Sequence, residues 1–258
     1  MLLVPVVVGL LATVTLGGCS SSTASSGPLA PMDASAAAND SGPIGPPAAR
    51  DAAPAPVDAS TCQPGDVASF KPLWKRPSPF HQGACTRDQI VAYKTACLGA
   101  KASHDACAPF LVADSPAQRC GACIKSPDTA PIYGPLVDHQ GFVELNLAGC
   151  IANVENDKDG SGCAGSFQAS VQCLSAACSF NCPVTSDATF QQYQGCATTA
   201  STGGCKEYAQ NAKCVDGLGD SGTAVADTCF SGTSFSERYD ILVPLFCGSL
   251  ADAGVEGG

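Results

Sequence analysis

The clearest helix signal in the sequence is CTRDQIVAYKTACLG, residues 85–99. Thr86 and Gln89 have the spacing of a capping box, which marks the first turn of a helix, and Gly99 is typical of the position just beyond a helix end. The apolar residues between them recur at helical spacing: Ile90, Tyr93, Cys97 and Leu98. The stretch therefore predicts a short helix that carries a cysteine on its buried face.

Similar segments follow along the chain. Helical spacing or a capping signal recurs at 115–123, 146–154, 167–178, 190–200, 205–214 and 234–246. Strand signals are weak, and the best of them, residues 142–145 (FVEL), is too isolated to predict a sheet. We therefore predict a mainly α fold, a small disulfide-rich helical domain over residues 62–247 that follows a disordered tether.

The chain has 17 cysteines. All but Cys19 lie in the predicted domain: Cys62, Cys85, Cys97, Cys107, Cys120, Cys123, Cys150, Cys163, Cys173, Cys178, Cys182, Cys196, Cys205, Cys214, Cys229 and Cys247. These sixteen cysteines are an even number, and they follow an apolar N-terminal stretch, residues 2–16, that is typical of an export signal. Together these features indicate a framework of disulfides, each worth about 2–4 kcal/mol. Which cysteine pairs with which does not follow from the sequence.

Composition restricts the possible functions. The net charge of the 258 residues is −10, which disfavours binding to nucleic acid. There is no Cys-x-x-Cys-His haem motif, and exported thiols are mostly oxidised and therefore poor zinc ligands. We predict no nucleic-acid partner, no cofactor and no metal.

The N-terminus has the features of an export signal. Residues 2–16 are almost all apolar, too few to span a bilayer but typical of a signal peptide. They end in Leu16-Gly17-Gly18-Cys19, which resembles the lipobox of bacterial lipoproteins. The resemblance implies that residues 1–18 are a signal peptide, that Cys19 carries diacylglycerol and an acylated amino terminus, and that Ser20 favours the outer membrane. The alternative is an ordinary cleaved signal peptide.

A tether and a tail flank the domain. Ala, Ser, Pro and Gly fill 30 of the 42 positions from 20 to 61, so residues 19–61 are predicted to be a lipidated, disordered tether, and residues 248–258 a disordered tail. The lipobox, the tether and segments such as NLAGCIANV (146–154) together resemble cysteine-rich lipoproteins of myxobacteria. The resemblance covers nearly the whole chain and implies no particular activity.

Two short motifs are typical of enzymes. Cys120-Gly-Ala-Cys123 has the spacing of thiol–disulfide oxidoreductases, but no strand or Trp precedes it, so we expect disulfides to distant partners. Residues 219–222 (GDSG) match the tetrapeptide around a chymotrypsin-like nucleophile, here Ser221. The chain has three histidines, and none of them has that family's Ala-Ala-His-Cys context: His81, His104 and His139. We therefore interpret the GDSG motif as a turn.

Residues 155–160 (ENDKDG) resemble the start of a calcium-binding loop, which needs carboxylates at alternate positions and a glycine. The first ligand position holds Glu155 in place of Asp. The twelfth holds Ser166, which lacks the bidentate carboxylate. We therefore interpret the segment as an acidic turn.

The most distinctive segment is FKPLWKRPSPFH, residues 70–81, called here the strap. Trp74, Lys75 and Arg76 within it are candidate ligand contacts, because an aromatic face beside cations suits a sugar or an anionic group. The alternative is that the rings cover the helical core while the charges point outward.

The leading functional hypothesis is a non-catalytic binding or structural module, anchored through Cys19 in the bacterial outer membrane and facing the periplasm or the cell surface. Its expected partner is an envelope polysaccharide or another surface molecule. The alternative is an exported enzyme that acts at Cys120 and Cys123 or at Ser221. A third possibility is a coat protein without a specific ligand.

Overall fold

A computed structural model describes residues 62–99, 102–113, 115–139, 142–219 and 222–249. The predicted signal peptide, the lipidated Cys19, the tether and all but the first two residues of the tail lie outside these ranges.

Helices dominate the described residues. They are Arg87–Tyr93 (α1), His104–Leu111 (α2), Gln118–Ile124 (α3), Leu147–Glu155 (α4), Cys163–Cys178 (α5), Asp187–Thr202 (α6), Lys206–Asn211 (α7), Cys214–Leu218 (α8), Ala224–Cys229 (α9) and Phe235–Cys247 (α10). A π-helical turn, Lys94–Leu98, continues α1. The short strands are Arg76–Pro77 (β1), Lys125–Pro127 (β2), Ile132–Tyr133 (β3), Leu136–Asp138 (β4) and Val143–Leu145 (β5). The predicted mainly α class is confirmed.

Side-chain caps start several helices where the sequence predicts them. Thr86 and Gln89 form both hydrogen bonds of a capping box at α1. Ser234 and Glu237 form both hydrogen bonds of a second capping box at α10. At α4 the side chain of Asn146 accepts a hydrogen bond from the N–H of Gly149 at 2.8 Å. These side chains satisfy amide groups that have no partner within the first helical turn.

The prediction that residues 142–145 are too isolated to form a sheet is wrong. β5 pairs antiparallel with β4, and β4 pairs parallel with β2, in a three-stranded sheet. β1 and β3 form a separate parallel pair. The partner strands are only two or three residues long, too short for an alternation of polar and apolar residues to reveal them.

The domain contains two clusters of buried apolar residues. The first joins α1, α3, α4 and α10 around Tyr93, Tyr239 and Phe246. The second joins α5 and α6 around Phe190 and Tyr193. Cysteines are part of both clusters, so each small core is also covalently crosslinked.

Every cysteine of the domain is in a disulfide. The pairs are Cys62–Cys182, Cys85–Cys120, Cys97–Cys107, Cys123–Cys247, Cys150–Cys229, Cys163–Cys214, Cys173–Cys205 and Cys178–Cys196. Their sequence separations run from 10 to 124 residues. The predicted framework is confirmed, and it indicates an oxidising, extracytoplasmic compartment. In the part of the chain that the structure describes, no helix is long and apolar enough to cross a membrane.

Candidate functional site

Two glutamines of α5 hold the strap in place. Gln168 accepts a hydrogen bond from the N–H of Lys75 at 2.6 Å and donates to its carbonyl at 3.1 Å. Gln172 makes the same pair of bonds with Leu73, at 3.0 and 2.8 Å. One helical turn, about 5.4 Å, is close to the two-residue repeat of an extended chain, about 6.6 Å, so two side chains one turn apart can pair with alternate strap residues. Each amide thus takes the place of a neighbouring strand.

The second half of the strap is fixed by main-chain bonds and by packing. The N–H of Ser78 donates to the carbonyl of Tyr133 at 2.8 Å, and the N–H of His81 donates to that of Leu245 at 2.8 Å. The ring of Phe80 packs edge-on against Phe246, with centroids 4.8 Å apart. The strap is therefore attached along its length to α5, β3 and α10.

Successive side chains of an extended chain point to opposite sides. Lys71, Leu73 and Lys75 line a cleft between the strap and α5. Arg76 lines a separate groove of about 210 Å³ that also includes Asp157 of the acidic turn. The structure therefore does not bring Lys75 and Arg76 to one site.

The third predicted contact, Trp74, packs against the protein. Its ring is half-buried beside the first core, and its Nε1 donates to the carbonyl of Lys158 at 3.3 Å. Gly160 lies directly against the ring: its φ is +70°, and a Cβ there would lie 2.4 Å from the ring carbon Cδ2. This position matches the alternative expectation for the strap, in which the rings cover the core. Ligand contact by Trp74 or Arg76 stays a prediction.

The acidic turn beneath Trp74 uses its own carboxylates as acceptors. Asp157 accepts from the N–H groups of Ser161 and Gly162 at 3.2 and 2.9 Å, and Asp159 accepts from Ser161 at 3.1 Å. The hydrogen bonds from Ser161 lower the pKa of Asp159. Such bonds are what the interpretation as an acidic turn requires.

The cleft beneath the strap has a volume of about 350 Å³, which is in the range of small-ligand sites. Its walls are the strap, α5, the start of α4 and the end of the three-stranded sheet. Apolar side chains form much of its lining, among them Phe70, Leu73, Leu147, Phe167 and Val171. Its charged or titratable groups are Lys71, Lys75, Asp128, Tyr133, His139 and Glu144.

A buried ion pair lies at the sheet wall of the cleft. His139 Nε2 is 2.9 Å from a carboxylate oxygen of Glu144, and the two side chains are only 10% and 14% exposed. The imidazole stacks on the ring of Phe142, with centroids 4.9 Å apart. Burial lowers the pKa of His139, but the hydrogen bond and charge of Glu144, with Asp128 and Asp138 nearby, outweigh it, so the pKa lies above its ordinary value. This favours the charged imidazolium form at the cleft wall.

Tyr133 adds a neutral group to the same wall. Its hydroxyl donates to the main-chain carbonyl of Asp128 at 2.6 Å. Burial, with the charges of Asp128 and Glu144, raises the pKa of Tyr133 to about 12. The phenol therefore stays protonated and contributes no charge to the cleft at neutral pH.

The strap wall of the cleft carries two lysines that have no counter-ion among the residues that the structure describes. Among the described residues neither Lys71 nor Lys75 forms an ion pair, whereas Lys94 and Lys125 each pair with an aspartate at 2.6 Å. Glu144, on the opposite wall, is already paired with a histidine. The lining of the cleft therefore combines two lysines of the strap with apolar side chains and with the carboxylates of Asp128 and of Glu144.

The two cysteines of the Cys120–Cys123 motif do not bond to each other. Cys120 is fully buried and bonds to Cys85, and Cys123 bonds to Cys247. These are the distant partners expected of structural cysteines. Asp220 and Ser221, from the other enzyme-like motif, lie outside the described residues.

One group of potential metal ligands occurs among the described residues. The sulfur atoms of Cys62, Cys182 and Cys196 lie within 4.8 Å of one another. All three sulfurs are in disulfides, so none is the thiolate that metal binding requires.

Sequence reasoning missed most of the cleft. Gln168 and Gln172 have helical i, i+4 spacing, but such polar pairs are also normal on exposed helix faces. Glu144 lies in a strand that the sequence did not place in a sheet, and His139 follows its partner strand β4, so nothing in the sequence indicated that the two side chains face each other. No protein-family model matches the chain, and no curated protein or solved structure matches it significantly.

Proposed function

We propose that this chain is a lipid-anchored protein of a bacterial cell envelope that binds an acidic envelope glycan in the cleft beneath the strap, without catalysis. The observation that carries the proposal is the pair Lys71 and Lys75. Both lysines line the cleft on its strap side and form no ion pair among the described residues, in a chain whose net charge is −10. A carboxylate on the ligand would supply the missing counter-charge through charge-assisted hydrogen bonds.

The rest of the lining favours an acidic sugar over a neutral one. Neutral sugars are held mainly by hydrogen bonds to their hydroxyl groups, and the amides of Gln168 and Gln172 are already bonded to the strap. Phe70 and Phe167 provide apolar surface for the face of a sugar ring. Lys71 and Lys75 are therefore the groups of the cleft lining that favour an anionic sugar over a neutral one.

Anchoring is supported by the sequence and by the compartment. The Leu16–Cys19 lipobox provides a lipid attachment point, and the eight disulfides require an oxidising environment. A chain of this length that behaves as the predicted flexible tether, residues 19–61, has a root-mean-square end-to-end distance of about 35–40 Å.

Glycan binding is tested with the purified full-length protein and two polymers of similar length, a polyuronate and a neutral glucan. The Lys71→Gln/Lys75→Gln variant is compared with a control, Lys206→Gln/Lys213→Gln, which removes two exposed lysines outside the cleft. Exposed charge pairs contribute up to about 1 kcal/mol each, so we expect the cleft variant to bind polyuronate about tenfold more weakly. Salt should weaken wild-type binding.

The control variant should keep wild-type affinity. Equal affinity of the two variants for polyuronate, or equal affinity of the wild type for the neutral glucan, would show that the cleft lysines do not select an acidic sugar.

Anchoring is tested separately by expression in a Gram-negative host with a labelled fatty acid. The wild type should incorporate the label and partition into detergent, and Cys19→Ala should do neither. A soluble, unlabelled wild type would contradict lipid anchoring.

A further inference from the structure

Phe180 is the most exposed large apolar side chain of the described residues. It is 94% exposed, whereas the next, Leu73, is 64% exposed. It lies at the tip of the turn that follows α5, and this turn is closed by a 2.8 Å hydrogen bond from the N–H of Cys182 to the carbonyl of Cys178. An aromatic ring held this far into solvent loses the stabilisation that burial would give it.

The turn that carries Phe180 is rigid. Cys178, two residues before the ring, bonds to Cys196 of α6, and Cys182, two residues after it, bonds to Cys62. Phe180 is therefore flanked on both sides by covalent crosslinks, and little further conformational entropy is lost if the ring contacts another surface.

The same disulfide places Phe180 beside the root of the tether. The Cα atoms of Cys62 and Cys182 are 5.1 Å apart, and the predicted tether, residues 19–61, directly precedes Cys62 in the sequence. Two more bonds join these segments: Asn181 Nδ2 donates to the carbonyl of Gln63 at 3.0 Å, and the N–H of Gly65 donates to that of Ala177 at 2.7 Å.

This end of the domain carries no charge in either segment. Residues 62–65 (CQPG) and 175–186 (SAACSFNCPVTS) contain no Asp, Glu, Lys or Arg, and together they form what we call the uncharged end. Asp66 follows the first segment and turns its carboxylate to the N–H of Ala68 at 2.8 Å, and Asp187 follows the second segment. Because neither segment contains a charged side chain, moving them from water to the edge of an apolar medium does not require the desolvation of a charge within them.

We propose that the uncharged end faces the lipid bilayer and that Phe180 inserts into its interface. This inference rests on the proposed lipid anchor, because anchoring through Cys19 raises the effective concentration of the nearest end of the domain at the membrane. An aromatic ring at the boundary of headgroups and acyl chains buries the apolar surface that Phe180 now exposes.

The test uses the full-length lipidated protein in phosphatidylcholine vesicles. Trp74 is the only tryptophan, so the wild type supplies the baseline emission, and Phe180→Trp adds one indole at the uncharged end. The control is Leu111→Trp, which adds an indole at another exposed apolar position, 53% exposed, at the end of α2. Co-flotation with the vesicles reports anchoring, and quenching by lipids brominated near the headgroup reports ring insertion.

We expect the emission added by Phe180→Trp to lie to the blue of that of an exposed indole, and brominated lipid should quench about half of its intensity. Both effects are expected of a ring that lies roughly 5–10 Å inside the interface. The emission added by Leu111→Trp should remain unquenched. Protein that floats with the vesicles while the emission from Phe180→Trp stays unquenched would overturn this inference alone. Quenching of Leu111→Trp in place of Phe180→Trp would also overturn it, and protein that does not float would overturn the lipid anchor as well.

Discussion

The glutamine pair on α5 gives a prediction whose size follows from the structure. Gln168 is 5% exposed and makes two hydrogen bonds to Lys75 of the strap. The change Gln168→Leu keeps the approximate shape of the side chain but leaves the N–H and carbonyl of Lys75 without these partners. At about 1 kcal/mol for each lost bond, the free energy of unfolding should fall by about 2 kcal/mol.

The assay is urea unfolding with all disulfides intact, followed by circular dichroism and by Trp74 fluorescence. A loss of about 2 kcal/mol shifts the midpoint by about 1 M if the m-value is about 2 kcal/mol/M. Hydrogen exchange provides a local measurement, because the amide of Lys75 should lose protection while the amide of Leu73, held by Gln172, keeps most of its own.

The matched control is Gln210→Leu at an exposed position of α7, where the side chain has no hydrogen bond to a described residue. It should change the free energy of unfolding by less than about 0.5 kcal/mol. If Gln168→Leu is equally harmless and the amide of Lys75 stays protected, the reasoning about the strap is refuted.

Three further predictions concern the strap, the cleft and the crosslinks. Gly160→Ala should shift Trp74 emission to the red and destabilise the domain by about 1–3 kcal/mol, because the new methyl group meets the indole and the positive φ disfavours a side chain. The control is Gly195→Ala, where a Cβ has no neighbour within 4 Å, and it should be neutral or stabilising. The pKa of His139 is raised in the folded state, so its pair with Glu144 stabilises the domain fully below pH ~6.5 and loses this contribution as the pH rises through the folded pKa. Urea midpoints measured from pH 5 to 9 should show this decline in the wild type and a flatter profile in His139→Gln. Alkylation of the denatured, unreduced domain should add no mass, since every domain cysteine is in a disulfide, and one alkyl group on any of them would contradict the pairing.

The parts of the fold that local sequence controls were predictable. The helix start at Thr86 depends on groups within three residues of one another, and so does the one at Ser234. The structural role of Cys120 and Cys123 also followed from their surroundings in the sequence, although their partners did not. With sixteen cysteines, spacing alone leaves far too many possible pairings.

The cleft was not predictable because it depends on contacts between distant segments. Gln168 meets Lys75 across 93 residues, and Gln172 meets Leu73 across 99. Composition did identify the strap as unusual. Because successive side chains of an extended chain point to opposite sides, however, Lys75 and Arg76 lie in different pockets. That separation becomes visible only once the glutamines show which side of the strap faces α5.

Binding at the cleft is tested most directly by amide chemical shifts of the isotope-labelled full-length protein during titration with a short uronic-acid oligosaccharide. We predict saturable changes in amide chemical shift, concentrated at Lys71, Lys75, His139 and Glu144. A neutral gluco-oligosaccharide of equal length should cause no comparable changes. Saturable shifts centred away from these residues, or identical shifts with both sugars, would contradict the assignment of the cleft as an acidic-glycan site.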